Sequence, residues 1–126
     1  MPALRAVVPA LAFALAALAP ARAAACAPAD AALAGRYALR GVMEVGSEIE
    51  LKADGRFAYM LAYGALDEFA SGCWSRAGDA LTLRVGKFQH SMADPMAFRR
   101  LELQVTPSGA LTRIFDAGHS GQYERY

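Results

Sequence analysis

From Gly35 onward apolar and polar residues alternate along the chain, and clusters of Gly or Asp interrupt them at short, regular intervals. A period of two residues is that of strands with one wet and one dry face, and regular turn signals between them mark an all-β sandwich or barrel. The pattern predicts strands over Arg36–Met43, Ser47–Leu51, Arg56–Tyr63, Phe69–Arg76, Leu81–Gly86, Phe98–Thr106, Leu111–Phe115 and Gln122–Tyr126. Short connections between all but one pair imply an antiparallel up-and-down meander. With about eight strands, such a meander closes into a small barrel.

The hairpins can be read for register. A two-residue Asp54-Gly55 loop would set Lys52 opposite Phe57 and Glu50 opposite Tyr59, mixing charge and aromatic on one face. A three-residue loop, Ala53-Asp54-Gly55, sets Leu51 opposite Phe57 and Ile49 opposite Tyr59. It also leaves Glu48, Glu50 and Lys52 on the solvent side. A slip of one residue flips every side chain, so the second register is expected, with Gly55 in the left-handed conformation. The same design applied to Glu44-Val45-Gly46 pairs Gly41 with Ile49 and Leu39 with Leu51. It places Tyr37, Leu39, Gly41 and Met43 toward the core. The turn at Ala77–Ala80 pairs Trp74 with Leu83 and Gly72 with Val85, turning Trp74 inward and Cys73 outward.

The last hairpin turns at Pro107-Ser108-Gly109 and pairs Val105 with Leu111. It puts Arg113 opposite Leu103 on the core face, with Arg99 further along the same face. A charge there is costly unless it is paired or reaches water, and such local inconsistencies mark functional or strained positions. Two stretches break the pattern. Lys87–Ala97 carries Phe88, His90, Met92 and Met96 and has the length of a lid or partner-binding loop. Asp116–Gly121 sets His119 in a glycine-flanked connection.

The N-terminal part differs from the rest. One charge, Arg5, precedes an apolar run from Ala6 to Ala19; Pro20 breaks it, and small residues follow to Ala25. Positive end, apolar middle and small-residue cleavage site together read as a secretory signal. The organisation expected is a signal over 1–25, an N-terminal strap over 26–34 and a β-barrel over 35–126, in a periplasmic or secreted protein. Removing the signal takes away Arg5 and Arg22 and turns a formal charge of +1 into −1. That balance favours neither nucleic acid nor an anionic membrane surface.

Cys26 and Cys73 are the two cysteines. In an oxidising compartment they can bridge, tying the strap to the outside of the sheet. Cys26 also follows Ala23-Ala24-Ala25, where a lipidated N-terminal cysteine would stand, which would anchor the protein in the envelope. Two free thiols are the third state.

Leu33-Ala34-Gly35-Arg36-Tyr37, Leu51-Lys52-Ala53-Asp54-Gly55-Arg56-Phe57 and Gly72-Cys73-Trp74 before Gly78-Asp79-Ala80-Leu81-Thr82-Leu83 resemble, in that order, small exported bacterial β-meander proteins of unknown function. More distantly they are similar to the up-and-down barrels of the lipocalin and avidin kind. The resemblance covers Leu33 to about Val85 and implies architecture, not activity. The Gly-x-Trp that opens the first lipocalin strand is here Gly35-Arg36-Tyr37, so no ligand residue is carried over.

Motifs for chemistry are sparse. His90 is followed by Ser91 and His119 by Ser120, but chain neighbours rarely point at each other, so neither pair reads as base and nucleophile. An enzyme using His119 with Arg113 has little else behind it. No His, Cys or carboxylate spacing suits a metal, and no Gly-rich loop suits a phosphate, so no cofactor is expected. Asp67-Glu68 and Glu48/Glu50 read as solvated edges. The expected function is a non-enzymatic binding module for a small amphipathic or anionic ligand, with Arg99, Arg113, Tyr63 and Trp74 as contacts. The alternative is a protein-interaction or inhibitor module of the envelope, using Phe88, His90, Met92 and Met96.

Overall fold

The computed structural model describes residues 2–6, 9–10 and 25–126; most of the segment read as a signal lies outside the described residues. Eight strands follow in chain order: β1 Gly35–Arg40, β2 Val45–Leu51, β3 Arg56–Tyr63, β4 Leu66–Ala77, β5 Ala80–His90, β6 Arg100–Val105, β7 Leu111–Asp116 and β8 His119–Arg125. Each pairs antiparallel with the next, and β8 returns to β1 through Leu39 opposite Tyr123, giving a closed up-and-down barrel. Closure leaves no free sheet edge.

Alternation places the core. Tyr37, Ile49, Leu51, Phe57, Tyr59, Leu61, Trp74, Leu81, Leu83, Leu103, Leu111 and Tyr123 all point inward and are buried. The predicted pairs Leu51–Phe57, Ile49–Tyr59, Trp74–Leu83, Gly72–Val85 and Val105–Leu111 are present. Gly55 has φ of +86° and closes the three-residue loop as expected; a Cβ there would lie 2.0 Å from the carbonyl oxygen of Ala27.

The first hairpin differs. Tyr37, not Gly41, faces Ile49, so the register is displaced by four residues. The even displacement keeps every side chain that stays within the paired strands on its expected face. β1 is held on its other side by β8 and stops at Arg40. The turn therefore falls at residues 41–44, with Gly41 and Glu44 at positive φ, and Gly46 lies within β2. Met43 is consequently 88% exposed instead of in the core.

A second difference reshapes one end. β5 runs on to His90, so only residues 91–99 are irregular. Between Ser71 and Gly72 the β4–β5 register shifts, with Lys87 opposite Ser71 and Val85 opposite Gly72. Gly86 is the extra residue of a bulge. Such a bulge bends a long strand pair and exchanges which residues face inward. A Cβ on Gly72 would lie 2.0 Å from the carbonyl oxygen of Arg84, so the close approach requires glycine. The piece from Asp116 to Gly121 is also shorter than expected, with His119 already in β8.

The strap covers one barrel end. Cys26 and Cys73 form a disulfide. Ala31–Leu33 makes a 3-10 turn capped by Asp30, whose carboxylate accepts from the Ala32 amide (2.9 Å) and pairs with Arg76 (3.0 Å). These contacts hold the Asp30 carboxyl below its usual range, the Ala32 amide contributing most. Leu33 is buried beneath the turn, and its carbonyl accepts from the Tyr37 hydroxyl at 2.6 Å. A sulfur held in a disulfide carries no lipid thioether, so in this bridged form Cys26 is not an attachment point for lipid. It is compatible with an oxidising, extracytoplasmic compartment.

Candidate functional site

Strand direction assigns each connection to an end. The strap, residues 52–55, 78–79 and 106–110 lie at one end; residues 41–44, 64–65, 91–99 and 117–118 lie at the other. The second end holds the chemistry.

Arg113 projects inward from β7 and is only 4% exposed. Its Nη1 donates to the hydroxyls of Tyr59 (3.0 Å) and Tyr123 (3.3 Å). Its guanidinium carbon lies 4.3 Å from the Phe115 ring centroid and 5.7 Å from that of Phe98, favourable positions for a cation over aromatic faces. Burial opposes the charge, but Tyr59 and Tyr123 outweigh it and hold the guanidinium more firmly protonated than usual. Arg113 Nε is buried with no partner among the described residues.

The network continues on both sides. The Tyr59 hydroxyl donates to Glu68 Oε1 at 2.8 Å, and burial pushes that phenol far above its usual range, against the pull of Arg113. Tyr123 shares a hydrogen bond with Ser47 (2.8 Å), whose hydroxyl donates to the Met60 carbonyl at 2.6 Å. Glu68 is 0% exposed. Its Oε2 and, in the loop, Asp94 Oδ2 are each buried with no hydrogen-bond partner among the described residues, and the two carboxyls lie within hydrogen-bonding reach of one another. Burial pushes the Glu68 carboxyl up to about 7; the contact with Asp94 adds to that, and the Tyr59 bond works against it.

Glu68 corrects the reading of Asp67-Glu68 as a solvated edge. β4 begins at Leu66, so Glu68 shares an inner face with Leu66, Ala70 and Trp74. An earlier start for that strand, with its alternation carried back from Trp74, was the signal that would have found it. Asp94, in the irregular loop, gave no such signal.

The expected ligand residues do not come together. Arg113 is inside, but Arg99 is exposed just before β6, where its carbonyl accepts from the Val85 amide at 2.9 Å. Arg99 lies outside the regular strand, so the alternation that placed it inward does not extend to it. Tyr63 stands half exposed at the rim, and Trp74 is buried toward the strap end, its Nε1 donating to the Lys52 carbonyl at 2.8 Å.

The loop residues divide as well. Phe88 and Met96 pack against the core; Met92 is half exposed. His90 is exposed, with Nδ1 2.6 Å from the Met92 carbonyl. Phe98 sits edge-on to both Tyr59 and Phe88, at 5.2 and 5.3 Å between centroids. His119 is exposed and bonded to Asp116 at 2.7 Å, while Arg113 is bonded to the two tyrosines, so the pair is not assembled as a catalytic unit. Among the described residues no three His, Cys, Asp or Glu side chains gather as a metal requires. No protein-family model, curated protein or solved structure matches the chain.

Proposed function

We propose that this chain is an exported, non-enzymatic interaction module that docks an envelope protein through the barrel end carrying residues 91–99. One observation carries the reading. The barrel is filled by its own side chains, while Met43 and Met92 stand exposed on two separate connections and Tyr63 at the last position of β3, all at that single end. Large apolar side chains gathered on a rim around a rigid scaffold suit a protein contact better than an enclosed small molecule. Export rests on the N-terminal charge and hydropathy pattern and accords with the disulfide. A photo-crosslinking residue at position 92 should give a discrete adduct with one envelope protein, and one at position 108, on the other end, should not. Changing Met43, Tyr63 and Met92 together to serine should abolish the adduct while the barrel stays folded. Equal labelling from both ends would count against the assignment.

A second reading, capture of a small anionic amphipathic ligand beneath the loop, has its own support in the unpartnered Nε of Arg113. It predicts that a fluorescent hydrophobic anion such as anilinonaphthalene sulfonate binds and that Arg113→Met weakens it, with Arg99→Ala neutral. An unchanged affinity in Arg113→Met removes this reading.

A further inference from the structure

The loop at the docking end is held at both feet and in its middle. At the first foot the Ser91 amide donates to the Asp67 carbonyl (3.0 Å). The Ser91 hydroxyl donates to the Ala65 carbonyl (2.8 Å) and accepts from the Asp67 amide (2.9 Å). At the second foot the Arg99 carbonyl takes the Val85 amide. Between them, Phe98 packs inward and Asp94 turns toward Glu68.

Asp94 Oδ1 is satisfied by the Met96 amide at 2.8 Å. Its Oδ2 and Glu68 Oε2 are both buried without a partner, and the two carboxyls, within reach of each other, have no donor between them unless Glu68 keeps its proton. With one proton they make a charge-assisted O–H···O bond; with none they are two like charges in contact, out of water. We propose that residues 92–98 form a proton-dependent latch, closed when the Glu68 carboxyl keeps its proton and donates it to Asp94 and released when that proton is lost, uncovering Phe88 and Arg113.

The surroundings set the direction. Tyr59 of β3 donates to Glu68 Oε1, an oxygen that accepts in either protonation state. Arg113 of β7 acts through Tyr59 and favours the ionised carboxyl, while Tyr123 of β8 and Ser47 of β2 lie one and two bonds beyond it. From β5, His90 is the cross-strand neighbour of Glu68 at the rim. From β1 and β6, Leu39 and Leu101 belong to or pack against the apolar core and carry no charge. Burial and Asp94 outweigh Arg113 and Tyr59, so the proton is held to near neutrality and the latch releases as pH rises past it.

The latch acts on the end proposed above as the docking surface and in that use rests on that reading; amide exchange reports on it whatever binds there. In the full disulfide-bonded chain, exchange is followed at about pH 5 and about pH 9 and corrected for intrinsic rates. Protection over 92–98 is expected to fall by about tenfold or more at the higher pH, with β4 and β5 unchanged. Asp94→Asn places an amide donor against Glu68 and should keep the loop protected at both pH values, as should Glu68→Gln. His90→Gln should leave the pH dependence in place. Should Glu68→Gln fail to fold, Asp94→Asn, in the loop, still decides the matter. Equal protection of the wild-type loop at both pH values, or a pH dependence that survives Asp94→Asn, overturns the latch.

Discussion

Nη1 of Arg113 donates to the hydroxyl of Tyr59 at 3.0 Å, and that hydroxyl in turn donates to Glu68. A buried cation and a buried carboxyl are thus joined through one phenol, and removing the cation strands the hydroxyls of Tyr59 and Tyr123. Taking one partner from a buried ionic network costs about 3–5 kcal/mol. Arg113→Leu should lose stability on that scale in urea denaturation. Arg99→Ala, on an exposed residue, should stay within about 0.5 kcal/mol of wild type. Equal losses for Arg99→Ala and Arg113→Leu would mean that the buried network contributes little.

Glu68 also gives folding a pH dependence with an unusual sign. Its carboxyl is raised to about 7 in the folded chain from an ordinary 4.5. Between those values the folded state holds a proton that the unfolded state has released. Its stabilising contribution is therefore intact below the lower value, falls through the window and is gone above the upper one. The loss amounts to a few kcal/mol, at about 1.4 kcal/mol per unit. Glu68→Gln should match wild type at about pH 4 and be the more stable protein at about pH 8. A wild-type midpoint in urea that rises over this range, with Glu68→Gln following it, would contradict the assignment.

The disulfide spans a sequence separation of 47 residues, and a closed loop of that size removes about 4 kcal/mol worth of freedom from the unfolded chain. Cys73→Ser should lower stability by up to that amount. It should also free the strap, which otherwise packs Leu33 under the barrel and bonds the Ala29 amide to the Ala53 carbonyl at 3.3 Å. Denaturation with and without reductant checks both: wild type should converge on the variant when reduced. No difference between oxidised and reduced protein would show that the remaining strap contacts suffice.

Local chemistry decided which of these features the sequence disclosed. Leu51 and Phe57 could be paired because a three-residue loop with Gly55 was the choice that kept charges off the core face. Trp74 and Leu83 followed the same reasoning, and the outward Cys73 suited a bridge. Beyond Gly72 the alternation no longer marks the inner face, because one extra residue at Gly86 exchanges the faces. Phe88 and His90 therefore belong to a strand and not to a loop. The carboxyl pair was hidden for a different reason. Glu68 becomes an inner-face residue only when β4 starts at Leu66, and Asp94 meets it from an irregular segment that carries no periodicity. The first hairpin was misplaced because β8, at the far end of the chain, helps to fix where β1 stops. Arg113 was legible as an inward charge, but its tyrosine partners come from strands whose adjacency only closure of the barrel creates.

Glu44 offers a test of that hairpin. Among the described residues it is the one non-glycine at positive φ, with φ of 62°. The left-handed region brings Cβ close to the following carbonyl and costs about 1–2 kcal/mol for an ordinary residue. Glycine avoids that contact but gives the unfolded chain more freedom, so part of the gain is returned. Glu44→Gly should stabilise the protein by about 0.5–1 kcal/mol, read as a higher urea midpoint with an unchanged slope. Gly46→Ala should have at most a small effect, since Gly46 lies in β2 and a Cβ there meets nothing within 4 Å. In the register that uses Gly46 as the turn residue the two outcomes reverse: Gly46→Ala is strongly destabilising and Glu44→Gly is neutral. Measuring both variants therefore distinguishes the two hairpins, which leave the inner and outer faces unchanged and differ only in where the chain turns.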